Sequence, residues 1–137
     1  MANSVAELEI AVSEVVDYMK IAGSFSPALR AVVARKVTAE AARKAGISVS
    51  LKELQRAADV FRAANGLHSA KDTQKWLEGL ALPLESLEGL LETNLLVNKF
   101  KDRLEKKASK TRYHSQPPIK ESVREMVYLD WLSNSIS

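Results

Sequence analysis

Apolar residues recur at helical spacing over most of the chain, with polar caps and breakers between the runs. Ser26-Pro27 predicts a helix start, a hydroxyl cap followed by a proline at the first helical position. The helix should run through ALRAVVARKVTAEAARKA, burying Leu29, Val32, Val33, Val37 and Ala41, and close at Gly46. Ser50 and Glu53 form a capping box that opens a second helix with Leu54, Ala57, Ala58 and Phe61 inward. Ser69 caps a short helix carrying Trp76 and Leu77, which Gly79 should stop. Pro83 opens the longest helix, near residues 84–107. Leu84, Leu87, Leu91 and Leu95 form one stripe there, widened by Leu90, Leu96, Phe100 and Leu104. So wide a stripe predicts two or more packing partners. A last amphipathic helix over 119–134 follows Pro117-Pro118, with Ile119, Val123, Met126, Val127 and Trp131 inward.

The N-terminus is ambiguous. Leu8, Ile10 and Val12 alternate with polar positions, as an extended arm over 1–12 would require. Val5, Leu8, Val12, Val15 and Met19 also fit helical steps. The favoured reading is an arm, then a helix capped by Ser13, running to about Ile21 and ended by Gly23. The prediction is an all-α protein of five to six helices in a single helical domain over 1–137, with a polar basic loop at 108–118.

Composition narrows the function classes. There is no cysteine, hence no disulfide framework, thiolate nucleophile or Cys-ligated zinc. No window approaches the ~18 apolar residues of a membrane span. The start MANSVAELEIAVSEVV carries Glu7, Glu9 and Glu14 where a signal peptide needs an apolar run. A cytoplasmic protein with no membrane partner is the expectation. The net charge is +3, and Lys99–Arg112 holds seven cations against two carboxylates. Either this is an anion-binding patch or a solvated helix end whose cations complement the helix dipole. The second is favoured, because no nucleic-acid recognition pattern accompanies the charge.

Catalytic chemistry is sparse. His68 and His114 lie in predicted loops and form no helical ligand pair, so no metal site and no cofactor are expected. Glu85, Glu88 and Glu92 line one side of the longest helix. That row resembles a ligand set, but a solvated acidic face opposite the leucines is the simpler reading. No phosphate loop or nucleophile elbow appears, so no catalytic residue is assigned.

The ordered segments ARKVTAEAARKAGI, VSLKELQRAADVFRAANGL and WLEGLALPLESLEGLLETNLLVNKF, with the C-terminal IKESVREMVYLDWLSNSI, resemble the helical chaperone module of SurA-type, parvulin-like peptidyl-prolyl isomerases. Together they cover roughly 110 residues. In that family a catalytic domain sits where this chain has ASKTRYHSQPP, so the resemblance carries over no isomerase residue and implies no prolyl isomerase activity. It implies a helical scaffold that grips extended or amphipathic polypeptide, with the last helix packing back on the N-terminal ones. Such proteins occur in bacteria as chaperones and as accessory factors of peptide maturation. Soft, adaptable side chains suit varied partners, and Tyr18, Met19, Met126, Tyr128 and Trp131 in the first and last helices are the candidate peptide contacts. Two rival readings remain. One is a small enzyme in natural-product biosynthesis, with a pocket among the helices using Tyr, Glu or His. The other is a structural scaffold that homodimerises through an exchanged terminal helix. A buried cluster of His, Tyr and Glu would favour the enzyme, and an exposed apolar groove the peptide binder.

Overall fold

A computed structural model of the protein describes residues 10–109 and 120–136, without the side chains of 108, 109 and 120–123. Among these residues there are six α-helices and no strand: α1 Val12–Ala22, α2 Phe25–Lys44, α3 Leu51–Ala64, α4 Ala70–Gly79, α5 Leu84–Ser109 and α6 Lys120–Ile136. The all-α prediction holds. Residues 1–9, with most of the proposed arm, and nearly all of the basic loop, including His114, lie outside the described residues. The chain divides into two compact units, Met1–Ala34 and Arg35–Ser137.

The first unit contains α1 and the opening turns of α2. α1 begins at Val12 with Ala11 in the cap position and no side-chain cap, so Ser13 lies inside the first turn rather than before it. Gly23 ends the helix at φ 84°, a conformation glycine adopts without steric cost. The Ser24 amide then reaches back to the Met19 carbonyl at 2.9 Å, satisfying an otherwise orphaned helix-end acceptor. No residue of α1 is buried. Leu29, Val32 and Val33, expected in a buried stripe, are 49%, 51% and 37% exposed.

The second unit holds the core, in two clusters that share α5. In one, Leu77, Leu87 and Leu91 pack with Leu54, Ala57, Ala58, Phe61 and Trp76, joining α3 and α4 to the first half of α5. In the other, Ala39, Ala42, Leu96 and Phe100 pack with Ile47, Val49, Leu104 and Trp131, joining the end of α2 and α6 to its second half. The broad leucine stripe therefore serves two sets of partners, as its width predicted. Leu84 and Leu90 are spared from both clusters and remain about half exposed. On α2 the buried residues are Thr38, Ala39 and Ala42. Small side chains let the helix backbone approach its neighbours closely, so they take the inward positions at this contact.

Three of the local signals form as the sequence predicts, whereas Ser26, expected as a cap, lies inside the first turn of α2, which begins at Phe25. Both halves of the Ser50–Glu53 capping box form: the Glu53 amide donates to Ser50 Oγ at 3.1 Å and the Ser50 amide to Glu53 Oε1 at 2.9 Å. Ser69 Oγ accepts from the Asp72 amide at 3.1 Å. After Gly46, at φ 82°, the Ile47 amide bonds the Ala42 carbonyl at 2.9 Å. The end of α4 is different. Gly79 is the last helical residue, and the left-handed position falls on Ala81, at φ 55°.

α6 docks mainly on α5. Its inward face is Arg124, Val127, Tyr128 and Trp131, while Met126 is 55% exposed. The expected inward position for Met126 is thus corrected, and Val123 lies among the side chains not described. The shift follows from Arg124, which is held inward by Asp102 and by Glu105 on α5. Burial opposes its charge, but hydrogen bonds and attraction from those two carboxylates outweigh it and hold the guanidinium pKa above its usual value.

Candidate functional site

One region of the second unit open to a ligand lies between α3 and α5. Positions 53, 56, 57, 60 and 61 of α3 face positions 91, 94, 95 and 98 of α5, each set following helical steps along one side. Between them runs an open groove of about 500 Å³. Leu91 is buried in its floor, Ala57, Phe61 and Leu95 are half-buried, and Val60 stands 63% exposed at the rim. Phe61 is braced from behind by Trp76, with ring centroids 5.5 Å apart in an edge-on arrangement.

Polar groups sit along one wall and at the ends. Asn94 and Asn98 are one helical turn apart. Arg35 donates to the Asn94 side-chain oxygen and, at 3.3 Å, to the Leu90 carbonyl, which fixes the amide's orientation. At one end Glu53 bonds Lys99 at 2.7 Å. Lys99 and the amide of Ser50 hold the Glu53 carboxyl down at about 2, against the ordinary 4.5. Glu53 is therefore a committed carboxylate that anchors α3 to α5, and it is poorly suited to accept and return protons near neutrality. Arg56 is the exposed cation of the lining.

A second cleft, of about 480 Å³, is lined by Ile47, Lys99, Asp102, Arg103, Lys106 and Lys107. Its charge looks like an anion site, but two of its cations, Lys99 and Arg103, are engaged in holding the end of α2. Arg103 donates to the Ala45 carbonyl at 3.0 Å and Lys99 to the Ser48 carbonyl at 2.8 Å. Both act on the C-terminal end of α2 and the turn after it, where the helix dipole is negative. Lys101 pairs with Glu125 at 3.4 Å and sits 4.3 Å from the Tyr128 ring centroid. Lys99 and Arg103 thus complement the dipole of α2 rather than that of α5, the helix that carries them.

The residues singled out in the sequence are distributed as follows. Tyr18, 72% exposed, and Met19, half-buried, belong to the first unit. In the second unit Tyr128 is buried and its hydroxyl lies 3.0 Å from Thr38 Oγ1. Trp131 stacks on Tyr128 and tilts against Phe100, with centroids 6.2 and 4.7 Å apart. These two aromatics are core members, and Met126 is the exposed one of the three. His68 is exposed. Glu92 pairs with Arg43 at 3.4 Å, and no group of three His, Cys, Asp or Glu among the described residues could hold a metal ion. The groove residues Arg56, Val60, Asn94 and Asn98 were not anticipated. The available signal was a pair of asparagines, four apart, among the leucines of LETNLLVNKF.

Compared with known proteins, the chain matches no protein-family model, no curated protein and no solved structure. No helix among the described residues is long and apolar enough to cross a membrane.

Proposed function

We propose that this protein is a non-catalytic, chaperone-like peptide binder, and that its second unit holds an extended or amphipathic polypeptide in the groove between α3 and α5. The observation that carries the reading is that groove: open, floored by Leu91, Phe61 and Leu95, and flanked by two side-chain amides in register. Apolar floors with adaptable edges are how helical grooves take peptide side chains, and amides can donate to and accept from a peptide backbone. The resemblance of the sequence to the SurA-type helical module points the same way. In this reading the protein works in the bacterial cytoplasm as an accessory factor in peptide maturation. Binding is weak and broad, since apolar contact supplies affinity with little selection.

The small-enzyme alternative finds less support, because the carboxylate at the groove is committed to Lys99 and Ser50. The test is a fluorescence titration of labelled unfolded peptides against the wild type, Val60→Glu and Met126→Glu. Val60 is exposed, so its substitution leaves the core intact. Binding by the wild type, weakened about tenfold (~1.4 kcal/mol) in Val60→Glu alone, is the expected result. Loss in Met126→Glu alone would move the site to α6, and no binding at ~1 mM would end the peptide-binding proposal.

A further inference from the structure

The groove between α3 and α5 presents donors and positive charge, while its carboxylate is already occupied. Glu53 Oε1 accepts from the Ser50 amide at 2.9 Å and from Lys99 Nζ at 2.8 Å, and Oε2 lies 2.7 Å from the same ammonium. That pair is neutral as a whole and gives the groove no net charge. Arg56 is left over. It follows Glu53 by three residues along the lining of α3, it is exposed, and no carboxylate among the described residues pairs with it. On the opposite wall Asn94 is oriented by Arg35. A guanidinium can only donate, so the Asn94 side-chain oxygen faces Arg35 and the Nδ2 hydrogens are left for another acceptor. Arg35 bonds neutral groups, Asn94 and the Leu90 carbonyl, and so adds a second positive charge behind that wall.

We propose that this groove selects acidic polypeptide: its occupant carries an aspartate or glutamate beside an apolar residue, with the carboxylate against Arg56 and the apolar side chain on the floor. The inference rests on the peptide-binding reading above and adds a sign of charge to it. Apolar contact does not discriminate between charged neighbours. A guanidinium does, since it attracts a carboxylate and repels an ammonium. Its planar fork also matches the two oxygens of a carboxylate. The chain's net charge of +3 acts in the same direction at longer range. Because Arg56 is open to water, the preference is a matter of a few-fold and is screened by salt.

Three labelled peptides of one apolar sequence, differing at a single position that carries Glu, Gln or Lys, test this by fluorescence anisotropy against the full chain. The wild type should bind them in that order, each step about threefold at low salt, and the steps should shrink at ~0.5 M salt. The ratio of Glu-peptide to Lys-peptide affinity should fall toward one in Arg56→Gln and return in Arg56→Lys, which restores the charge. Equal affinity for all three, or a preference for the Lys peptide, overturns this inference and leaves the peptide groove standing. A ratio undiminished in Arg56→Gln overturns it too, since the charge being read then lies elsewhere. Binding of none of the three at ~1 mM removes the groove reading itself, and the acidic preference with it.

Discussion

Replacing Tyr128 with phenylalanine isolates the polar contact that ties α6 to α2. The Tyr128 hydroxyl and Thr38 Oγ1 are 3.0 Å apart, and both residues are buried, Thr38 at 0% exposure. Phenylalanine keeps the ring over which Lys101 sits and on which Trp131 stacks, so the packing should survive. A buried hydrogen bond is worth about 1 kcal/mol net, and more where a partner is left unsatisfied. For a unit of about this size, each 1 kcal/mol lowers Tm by about 4–8 °C. Tyr128→Phe should therefore melt about 5 °C below the wild type. Thr38 makes other contacts, so Thr38→Val alone does not isolate the bond. The double-mutant cycle does, and urea unfolding of all four proteins should return a coupling of about 1 kcal/mol. If the two losses simply add, to within ~0.3 kcal/mol, the hydroxyls do not bond in solution, and the contact of α6 with α2 is apolar, while the Arg124 and Lys101 ion pairs still tie α6 to α5.

Two further outcomes follow from local features. Ala81 occupies a left-handed position at φ 55° that costs a non-glycine residue about 1 kcal/mol, so Ala81→Gly should raise the urea midpoint by up to that equivalent. Glu53 has its pKa lowered to about 2 in the folded protein, chiefly by Lys99 and then by the Ser50 amide. A depressed carboxylate stabilises above its unfolded value, near 4.5, and that contribution is lost as pH falls toward 2. Tm should therefore drop more steeply over that window in the wild type than in Glu53→Gln, and a carboxyl NMR titration should find the low pKa rising with added salt, since the pair is exposed to screening.

The helices were legible where their signals are local. Ser50 and Glu53 are three residues apart and need nothing else to form their box, and Gly23 and Gly46 end helices through their own backbone freedom. Facing was harder to read, because it depends on distant partners. Arg124 looks like a surface residue until Asp102 and Glu105 are placed opposite it, and its inward turn brings Tyr128 inside and leaves Met126 outside. Hydrophobicity alone ranks Val32 and Val33 above Thr38 and Ala39, yet close approach at the end of α2 selects the smaller pair. Neither Asn94 nor Asn98 carries a signal of its own in the sequence. They become the wall of a groove only once Ala57, Val60 and Phe61 are seen across from them.

Because α5 belongs to both core clusters, neither can open fully while the middle of that helix remains intact. Amide hydrogen exchange should register this as a gradient. Amides from Leu91 to Phe100 should exchange only through global unfolding, carrying the full stability of the second unit. Those of α4, bound to one cluster, should escape through smaller openings, and those of α1, which has no buried residue, should exchange first.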